Sequence, residues 1–137
     1  MHWLYPANTK FYDVFGAFRE AETYWPLNSK VSVGDTVFIY LAGPHKQVAF
    51  DYDILEVGLE ESDVIEFVRP FFKGQNHDKK FQKLFVKLQV SSAIPLRRDS
   101  PLAYEYLKKH GLSGMLMGPR KLENNPTLLT YIEGETS

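Results

Sequence analysis

The sequence predicts one small α+β domain over residues 1–137, a mixed and mostly antiparallel β-barrel with short flanking helices. Several segments alternate apolar and polar residues with the two-residue period of a strand. These segments mostly follow one another without a helical crossover, which favours antiparallel pairing. The chain is long enough for one core, and its 44% hydrophobic and 24% charged residues are typical of a globular protein.

The first half of the chain predicts a strand, a helix and a second strand. HWLYPA, residues 2–7, has the pattern of a short strand. FYDVFGAFRE, residues 11–20, places four apolar residues at the spacing of one helical face. TVFIYLA, residues 36–42, is apolar on both sides, as in a strand that is covered on both faces. Trp25, in YWP, fits neither a helical nor a strand period, so we expect it at the end of a loop.

The next strand, QVAFDYDILEV, alternates over residues 47–57. Its pattern predicts one face formed by Val48, Phe50, Tyr52 and Ile54. The apolar side then shifts at Leu55 and Val57, as a β-bulge would produce. Residues 59–80 show no clear period and are interpreted as a surface insertion.

The second half predicts two more strands and two helices. KLFVKLQV, residues 83–90, is a regular strand, and MLMG, residues 115–118, is a brief one. Between them, Ser100 is the expected cap of a helix that Gly111 ends. NPTLLTYIE begins the last helix, with Asn125 as its N-cap and a proline in its first turn.

Composition excludes several classes of protein. The sequence has no cysteine, which rules out disulfides, a thiol nucleophile and a cysteine-based zinc site, and it suits a cytoplasmic location. No apolar run is long enough to cross a bilayer, so we expect no membrane partner. Net charge is −1, but residues 69–121 hold twelve Lys or Arg and three acids. These charges either form a local anion-attracting surface or scatter over the fold.

Signals for catalysis are weak, and we expect a protein that is not an enzyme and has no cofactor. The four histidines show no metal-binding spacing, and no nucleophile or phosphate-binding motif is present. Asp51 and Asp53 lie two apart on a strand and share a face. They could hold a hard cation or simply face solvent.

Two residues carry the more informative signals. Trp25 is either a core residue or a flat face for a ligand. Asn8 has an amide with both a donor and an acceptor, as needed to contact the edge of a base, although an asparagine there could equally serve a turn or a helix cap.

The chain resembles the EVE domain family of the PUA-like superfamily. HWLYPANTKFYDV is similar to the family's opening strand and turn, although Thr9 stands where the family more often has proline. The run from Tyr24 to Val57 is similar to its central block, in which Gly-Asp opens a strand that ends in tyrosine before a Gly-Pro turn. IPL and MLMGPRKL are similar to its later landmarks, so the likeness covers nearly the whole chain.

This resemblance implies a PUA-like barrel that binds DNA or RNA by base flipping and accepts a modified base in an aromatic pocket. The ligand-binding residues that it implies are Trp3, Asn8, Trp25, Tyr40, Leu41, Ala42, Gly118 and Pro119. Cations that flank these landmarks are expected to contact phosphates, namely Lys30, Arg97, Arg98, Arg120 and Lys121.

Two other functions remain open. A related PUA-like module could bind unmodified RNA or a nucleotide-like small molecule. A hydrolase could instead use Asp51 and Asp53 with a metal ion.

Overall fold

The computed structural model contains a single mixed β-sheet. It describes residues 1–7, 22–26, 31–42, 45–68, 85–94, 97, 99–114, 116 and 118–136. The predicted helix over residues 11–20 lies outside the described residues.

Six strands form the sheet, in the order β2-β5-β4-β3-β1-β6. Their bounds are β1 His2–Ala7, β2 Glu22–Pro26, β3 Thr36–Leu41, β4 Gln47–Leu59, β5 Phe85–Ala93 and β6 Arg120–Lys121. Four of the five strand pairs are antiparallel, and β1 and β3 are parallel. The predicted mixed and mostly antiparallel sheet is therefore confirmed.

The prediction of a closed barrel is wrong for the part of the chain that the structure describes. The edge strands β2 and β6 do not pair with each other, and the sheet stays open. Closure requires the two edges to meet along a continuous ladder. Here β6 contributes only two residues, Arg120 and Lys121, both paired with β1.

Apolar side chains cover both faces of the sheet. One face, called here the first face, carries a core that includes Val37, Ile39 and Leu41 of β3. The other, the second face, carries Phe38 and Tyr40 of the same strand. The sequence predicted this alternation in residues 36–42, because a strand with two covered faces must be apolar on both sides.

Helices cover the two faces unequally among the described residues. Helix α1, Glu61–Val68, places Val64 in the core of the first face. Helices α2, Tyr104–Lys109, and α3, Pro126–Thr136, place Leu107, Leu128 and Ile132 in the core of the second face. A short 3-10 helix, Leu122–Asn124, leads from β6 into α3.

The pairing of strand β4 with its neighbours shifts register at four points, and the sequence predicted one of them. Its register with β5 shifts between Ile54 and Glu56, which confirms the predicted bulge. Its register with β3 also shifts, between the neighbouring β3 residues Ile39 and Tyr40. Because an extra residue in one strand reverses the side-chain alternation, Val48 joins the second face while Phe50 joins the first. The prediction that these two residues share a face is wrong.

Several local predictions need correction. Trp25 lies on strand β2 rather than at the end of a loop, because β2 pairs along its length with β5. Helix α2 begins at Tyr104 after Ala103, and the Ser100 hydroxyl accepts the N–H of Leu102 in the preceding turn, so Ser100 does not cap the helix. The two-residue strand β6, Arg120–Lys121, begins after the segment predicted at 115–118, of which residues 116 and 118 are described and lie outside any strand.

The predicted ends of α2 and α3 are confirmed. Gly111 has a φ of 116°, a left-handed conformation that glycine adopts without strain, and the helix ends before it. The Oδ1 atom of Asn125 accepts the N–H of Leu128 at 3.3 Å, as an N-cap does.

Candidate functional site

One end of the sheet gathers several residues that the sequence predicted for the site. We call it the sheet end, defined by Ala7, Leu41 and Gln47, where β1 and β3 finish and β4 begins. The N–H of Ala42 donates to the carbonyl of Ala7 at 3.1 Å, which extends the β1–β3 contact by one residue. Leu41 is fully buried and Ala42 is half-buried. Ala7 is 2% exposed and belongs to the core of the first face, so Ala42 is the more accessible of the two alanines.

Gln47 connects the sheet end to the segment that follows β5. It is 1% exposed, its Oε1 accepts the N–H of Arg97 at 3.1 Å, and its Nε2 donates to the carbonyl of Val48 at 3.1 Å. A buried amide must satisfy its donors and acceptors, so these bonds hold Arg97 beside the sheet end. The sequence analysis missed Gln47, because its partner Arg97 is 50 positions away and no local pattern indicates the contact.

The predicted cation Arg97 is exposed at this location, and its guanidinium pairs with the exposed carboxylate of Asp99 at 3.1 Å. This carboxylate raises the pKa of Arg97 above its ordinary value. Both partners are in solvent, so the pair is weak and can exchange for another anion.

Two more of the predicted cations, Arg120 and Lys121, lie on the edge strand β6, and the Gly-Pro loop precedes it. Lys121 is opposite Trp3, and Arg120 is opposite Leu4. Because β6 is antiparallel to β1, the chain before it, through Pro119 and Gly118, approaches from the direction of Ala7. The Arg120 guanidinium donates to the carbonyl of Ser113 at 2.7 Å, which supports the turn that precedes the loop.

The three aromatic residues predicted for the pocket do not lie together. Trp3 is half-buried and Trp25 is 5% exposed, and both pack on the first face, on strands separated by β3, β4 and β5. Tyr40 is 7% exposed and packs on the second face. Burial, together with the nearby Tyr104, raises the pKa of Tyr40. Asn8, Lys30 and Arg98 lie outside the described residues.

Trp3 has a polar partner that the sequence analysis missed. Its indole N–H donates to Oδ2 of Asp35 at 3.0 Å, and Asp35 also accepts the N–H of Ser32 at 2.9 Å and the amino group of Met1 at 3.1 Å. Burial opposes ionisation of Asp35, but these donors outweigh it and hold the pKa below its ordinary value.

A cleft lies on the second face, at the end of the sheet opposite to the sheet end. This cleft has a volume of about 590 Å³ and is lined by His2, Thr36, Phe38, Asp51, Asp53, Glu133, Gly134 and Thr136. The ring of His2 contacts Glu123 at 2.6 Å and Glu133 at 3.5 Å, and thereby joins β1 to the 3-10 helix and α3. The Thr36 hydroxyl donates to Asp53 at 3.4 Å.

Asp51 is the most perturbed carboxyl group in this cleft. Burial first, and then repulsion from Asp53, raise its pKa to about 6, while His2 acts in the opposite direction. A carboxyl group with this pKa can hold or release a proton near neutral pH. Among the described residues, no group of three His, Cys, Asp or Glu side chains is arranged to hold a metal ion. No helix in the described part of the chain has the length and apolarity needed to span a bilayer.

Comparison with known proteins gives a clear result only for solved structures. No family model matches the chain, and no curated protein does. The crystal structure of ASCH from Zymomonas mobilis has a TM-score of 0.60 at 12% identity, with 94% of each chain covered. A mutant of the same protein has a TM-score of 0.65 at 10% identity, covering 97% of this chain and 96% of that one.

This chain shares its fold with ASCH domains. ASCH domains belong to the PUA-like superfamily, so the fold is consistent with the predicted PUA-like type, whereas membership of the EVE family in particular is not shown. A structure from Pseudomonas putida is also similar to this chain, with a TM-score of 0.65 at 14% identity over 100% of both chains. One from Leishmania major has a TM-score of 0.61 at 16% identity, covering 99% of this chain and 96% of that one. At these identities the likeness concerns the fold alone.

Proposed function

We propose that this protein is a nucleic-acid-binding module of the PUA-like type that holds an extruded, modified base at the sheet end, without catalysis. RNA is the first candidate ligand. The observation that carries the proposal is the convergence of Leu41, Ala42 and Arg97 at one end of a sheet with the ASCH fold. A cytoplasmic location is part of the proposal, because the chain has no cysteine.

The chemistry of the sheet end suits a base removed from its stack. Such a base presents an edge of hydrogen-bond donors and acceptors together with two flat faces. The backbone of Ala42, which follows β3 and is half-buried, can contact the edge, because the small side chain of alanine allows close approach. Asn8 directly follows Ala7 in sequence, and its amide is the proposed side-chain contact to the edge.

Cations beside the sheet end support a ligand with phosphates. Arg97 is exposed there and is held by Gln47. Arg98 follows Arg97 directly in sequence, whereas Arg120 and Lys121 pair with Leu4 and Trp3, farther along β1 from the sheet end. Lys30 completes the proposed phosphate contacts. Contacts of this kind fix the position of a strand, whereas contacts to the base provide selectivity.

The aromatic residues contribute differently from one another. Trp3 has a half-buried ring that is oriented by Asp35, but it lies near the start of β1, at the end opposite to the sheet end, so its predicted contact with the base stays a prediction. Trp25 and Tyr40 present little free ring surface in this conformation. Direct stacking of a base on either residue stays a prediction, and a variant of Trp25 is used to test it below.

A binding panel tests the proposed function. Modified and unmodified nucleosides, and short RNA and DNA strands that carry the same bases, are titrated against the wild type and Asn8→Ala. We expect tighter binding of at least one modified base, and a smaller difference between bases in Asn8→Ala. Binding of free nucleosides with no gain from an attached strand would favour a small-molecule ligand. No binding to any member would overturn the proposal.

A second candidate function rests on the cleft around His2. Asp51 there has a pKa of about 6, as suits a general acid or base, and Asp53 lies beside it. Hydrolysis of an RNA or nucleotide substrate that requires Mg²⁺ or Mn²⁺, and that is lost in Asp51→Asn, would support this candidate. Base-selective binding without turnover, unchanged by the same substitution, would support the binding module.

A further inference from the structure

We propose that helix α2 and the turn before β4 form a second contact surface for single-stranded nucleic acid, made of Lys46, Tyr104, Tyr106, Lys108 and Lys109. We call it the Lys–Tyr surface. It extends the proposed function, on which it rests, from the base at the sheet end to the strand that carries the base. None of its five residues belongs to the predicted site.

The Lys–Tyr surface is joined directly to the sheet end. The N–H of Tyr104 donates to the carbonyl of Lys46 at 2.8 Å, and Ala103 forms a bridge with Gln47. The N–H of Val48 donates to the carbonyl of Leu102 at 3.0 Å. These bonds attach the start of α2 to the start of β4. A nucleic-acid strand that extends from the sheet end toward Lys46 would therefore meet the helix.

Two lysines lie against two tyrosines on α2. The Nζ atom of Lys108 is 5.6 Å from the ring centroid of Tyr104, and that of Lys109 is 5.1 Å from the ring centroid of Tyr106. Tyr106 is 37% exposed, whereas Tyr104 is half-buried and packs against the core of the second face. Lysines beside an exposed aromatic ring can bind phosphates and stack a base of a single-stranded ligand.

The lysines are available for a ligand. Within the described ranges, the ammonium groups of Lys46, Lys108 and Lys109 form no ion pair. Among the described residues, the acids near the surface are Glu105, which is exposed on α2, Asp99, which pairs with Arg97, and Glu135 of α3, which with Tyr106 acts on Tyr131. The surface therefore has an excess of positive charge, whereas the cleft at the opposite end of the sheet contains Asp51, Asp53 and Glu133. A polyanion would be attracted to the Lys–Tyr surface and repelled from the cleft.

Lys46 has a backbone conformation that costs conformational energy. Its φ is 51°, in the left-handed region where glycine or asparagine is more stable. A lysine at such a position is less stable than asparagine and adds a charge that asparagine lacks. This combination is expected where the charge is used for binding.

Single-stranded nucleic acid is the occupant that fits these features best. An acidic peptide would pair with the lysines but has no bases to stack on Tyr106. An anionic membrane would need apolar side chains to insert, and the exposed side chains of this surface are tyrosines and lysines. The surface is also continuous with the proposed base site, which neither alternative explains.

The test measures the affinity of a fluorescein-labelled oligouridine of about ten nucleotides as a function of salt. Two variants remove charge with little effect on folding: Lys108→Gln with Lys109→Gln, which keeps helix propensity, and Lys46→Asn, which suits the left-handed conformation. We expect the double variant to bind about tenfold more weakly at 0.1 M salt, with the log–log slope reduced by about 1.4. Thermal unfolding should change little in both variants.

A pair of charge-matched variants separates this surface from net charge. Glu105→Lys replaces a negative charge on α2 with a positive one and should tighten oligouridine binding. Glu66→Lys makes the same change of charge on α1 and should not tighten it. If the double lysine variant binds oligouridine as tightly as the wild type and with the same log–log salt slope, the proposal of the Lys–Tyr surface is overturned and the proposed function stands. If a polyglutamate peptide binds as tightly as oligouridine, the assignment to nucleic acid is overturned. Absence of binding to nucleosides and oligonucleotides alike would overturn both proposals.

Discussion

The indole N–H of Trp3 donates a hydrogen bond to the carboxylate of Asp35 over 3.0 Å, between the first strand and the turn that precedes β3. The same carboxylate accepts the backbone N–H of Ser32. Asp35 is 6% exposed, so its charge depends on these donors for stabilisation. One buried acid thereby orients the Trp3 ring and joins the start of β1 to the turn before β3.

Replacing Asp35 with asparagine should lower the free energy of unfolding by about 2–3 kcal/mol. The change preserves shape but removes the charge that the donors stabilise. The pKa of Asp35 is lowered in the folded state, so its contribution is fully present above the ordinary pKa of an aspartate and is lost as the pH falls through the folded value. Urea unfolding across the acidic range measures both effects. Asp99→Asn, at an exposed carboxylate, is the matched control and should leave stability nearly unchanged.

Asp51 should make the free energy of unfolding depend on pH in the opposite direction. Its pKa is raised from 3.8 to about 6, so the folded protein holds a proton that the unfolded chain releases, and stability decreases as the pH rises between these values. Asp51→Asn should therefore increase stability at neutral pH by about 1–2 kcal/mol, less than a full conversion of the shift because the carboxylate is partly solvated.

Denaturant unfolding of Asp51→Asn at several pH values checks this prediction. Asp53→Asn serves as the comparison, because it removes only the repulsive charge and should recover part of the gain. A wild-type stability that is flat between pH 4 and 6, after correction for Asp35, would contradict the raised pKa.

Trp25 should affect both folding and binding, and a pair of variants separates the two. Trp25→Ala removes a side chain that is 5% exposed and should cost about 3–5 kcal/mol. Trp25→Leu keeps an apolar side chain but removes the flat ring. If Trp25 contacts the ligand, the Leu variant should lose several-fold in affinity for the best base of the binding panel.

The control for Trp25 is Val86→Ala, since Val86 is the cross-strand neighbour of Trp25 and is 1% exposed. It destabilises the same part of the core without removing an aromatic ring. Equal affinity in Trp25→Leu and Val86→Ala, each measured where the protein is folded, would identify Trp25 as a core residue only.

Asn125 should stabilise two helices at once. Its Oδ1 caps α3 through the N–H of Leu128, and its Nδ2 donates to the carbonyl of Gly111 after α2 at 2.9 Å. Asn125→Ala loses both bonds and should cost about 1–2 kcal/mol in thermal unfolding. Asn124→Ala, at the exposed neighbouring position, should have little effect. A similar loss in both variants would mean that the side-chain bonds of Asn125 contribute nothing measurable.

Local sequence patterns predicted most of the elements. The two-residue period identified β1, β3, β4 and β5, because alternation along a strand reflects only which face each residue occupies. The cap at Asn125 and the stop at Gly111 were predicted for the same reason, since each depends on a few neighbouring residues. Trp25 was misplaced because β2 is a short edge strand with too few residues to show a period.

The candidate site was predictable only in part. Leu41 and Ala42 were identified through the resemblance of the landmarks around them, and the structure places them at the sheet end. Gln47 and Asp35 were missed, because each acts through partners that are distant in sequence. The predicted grouping of Trp3, Trp25 and Tyr40 assumed a closed barrel, in which distant strands approach one another.

By itself, the sequence determined the class of the domain, the course of its main strands and the polar and apolar residues that each strand presents. These properties depend on short-range periodicity, which a single chain displays directly. Only the tertiary structure decided that the sheet stays open, that Val48 and Phe50 occupy opposite faces, and that Lys46 meets Tyr104 beside Arg97. Strand order, bulges and long-range hydrogen bonds result from how all elements pack together, and no local pattern contains that information.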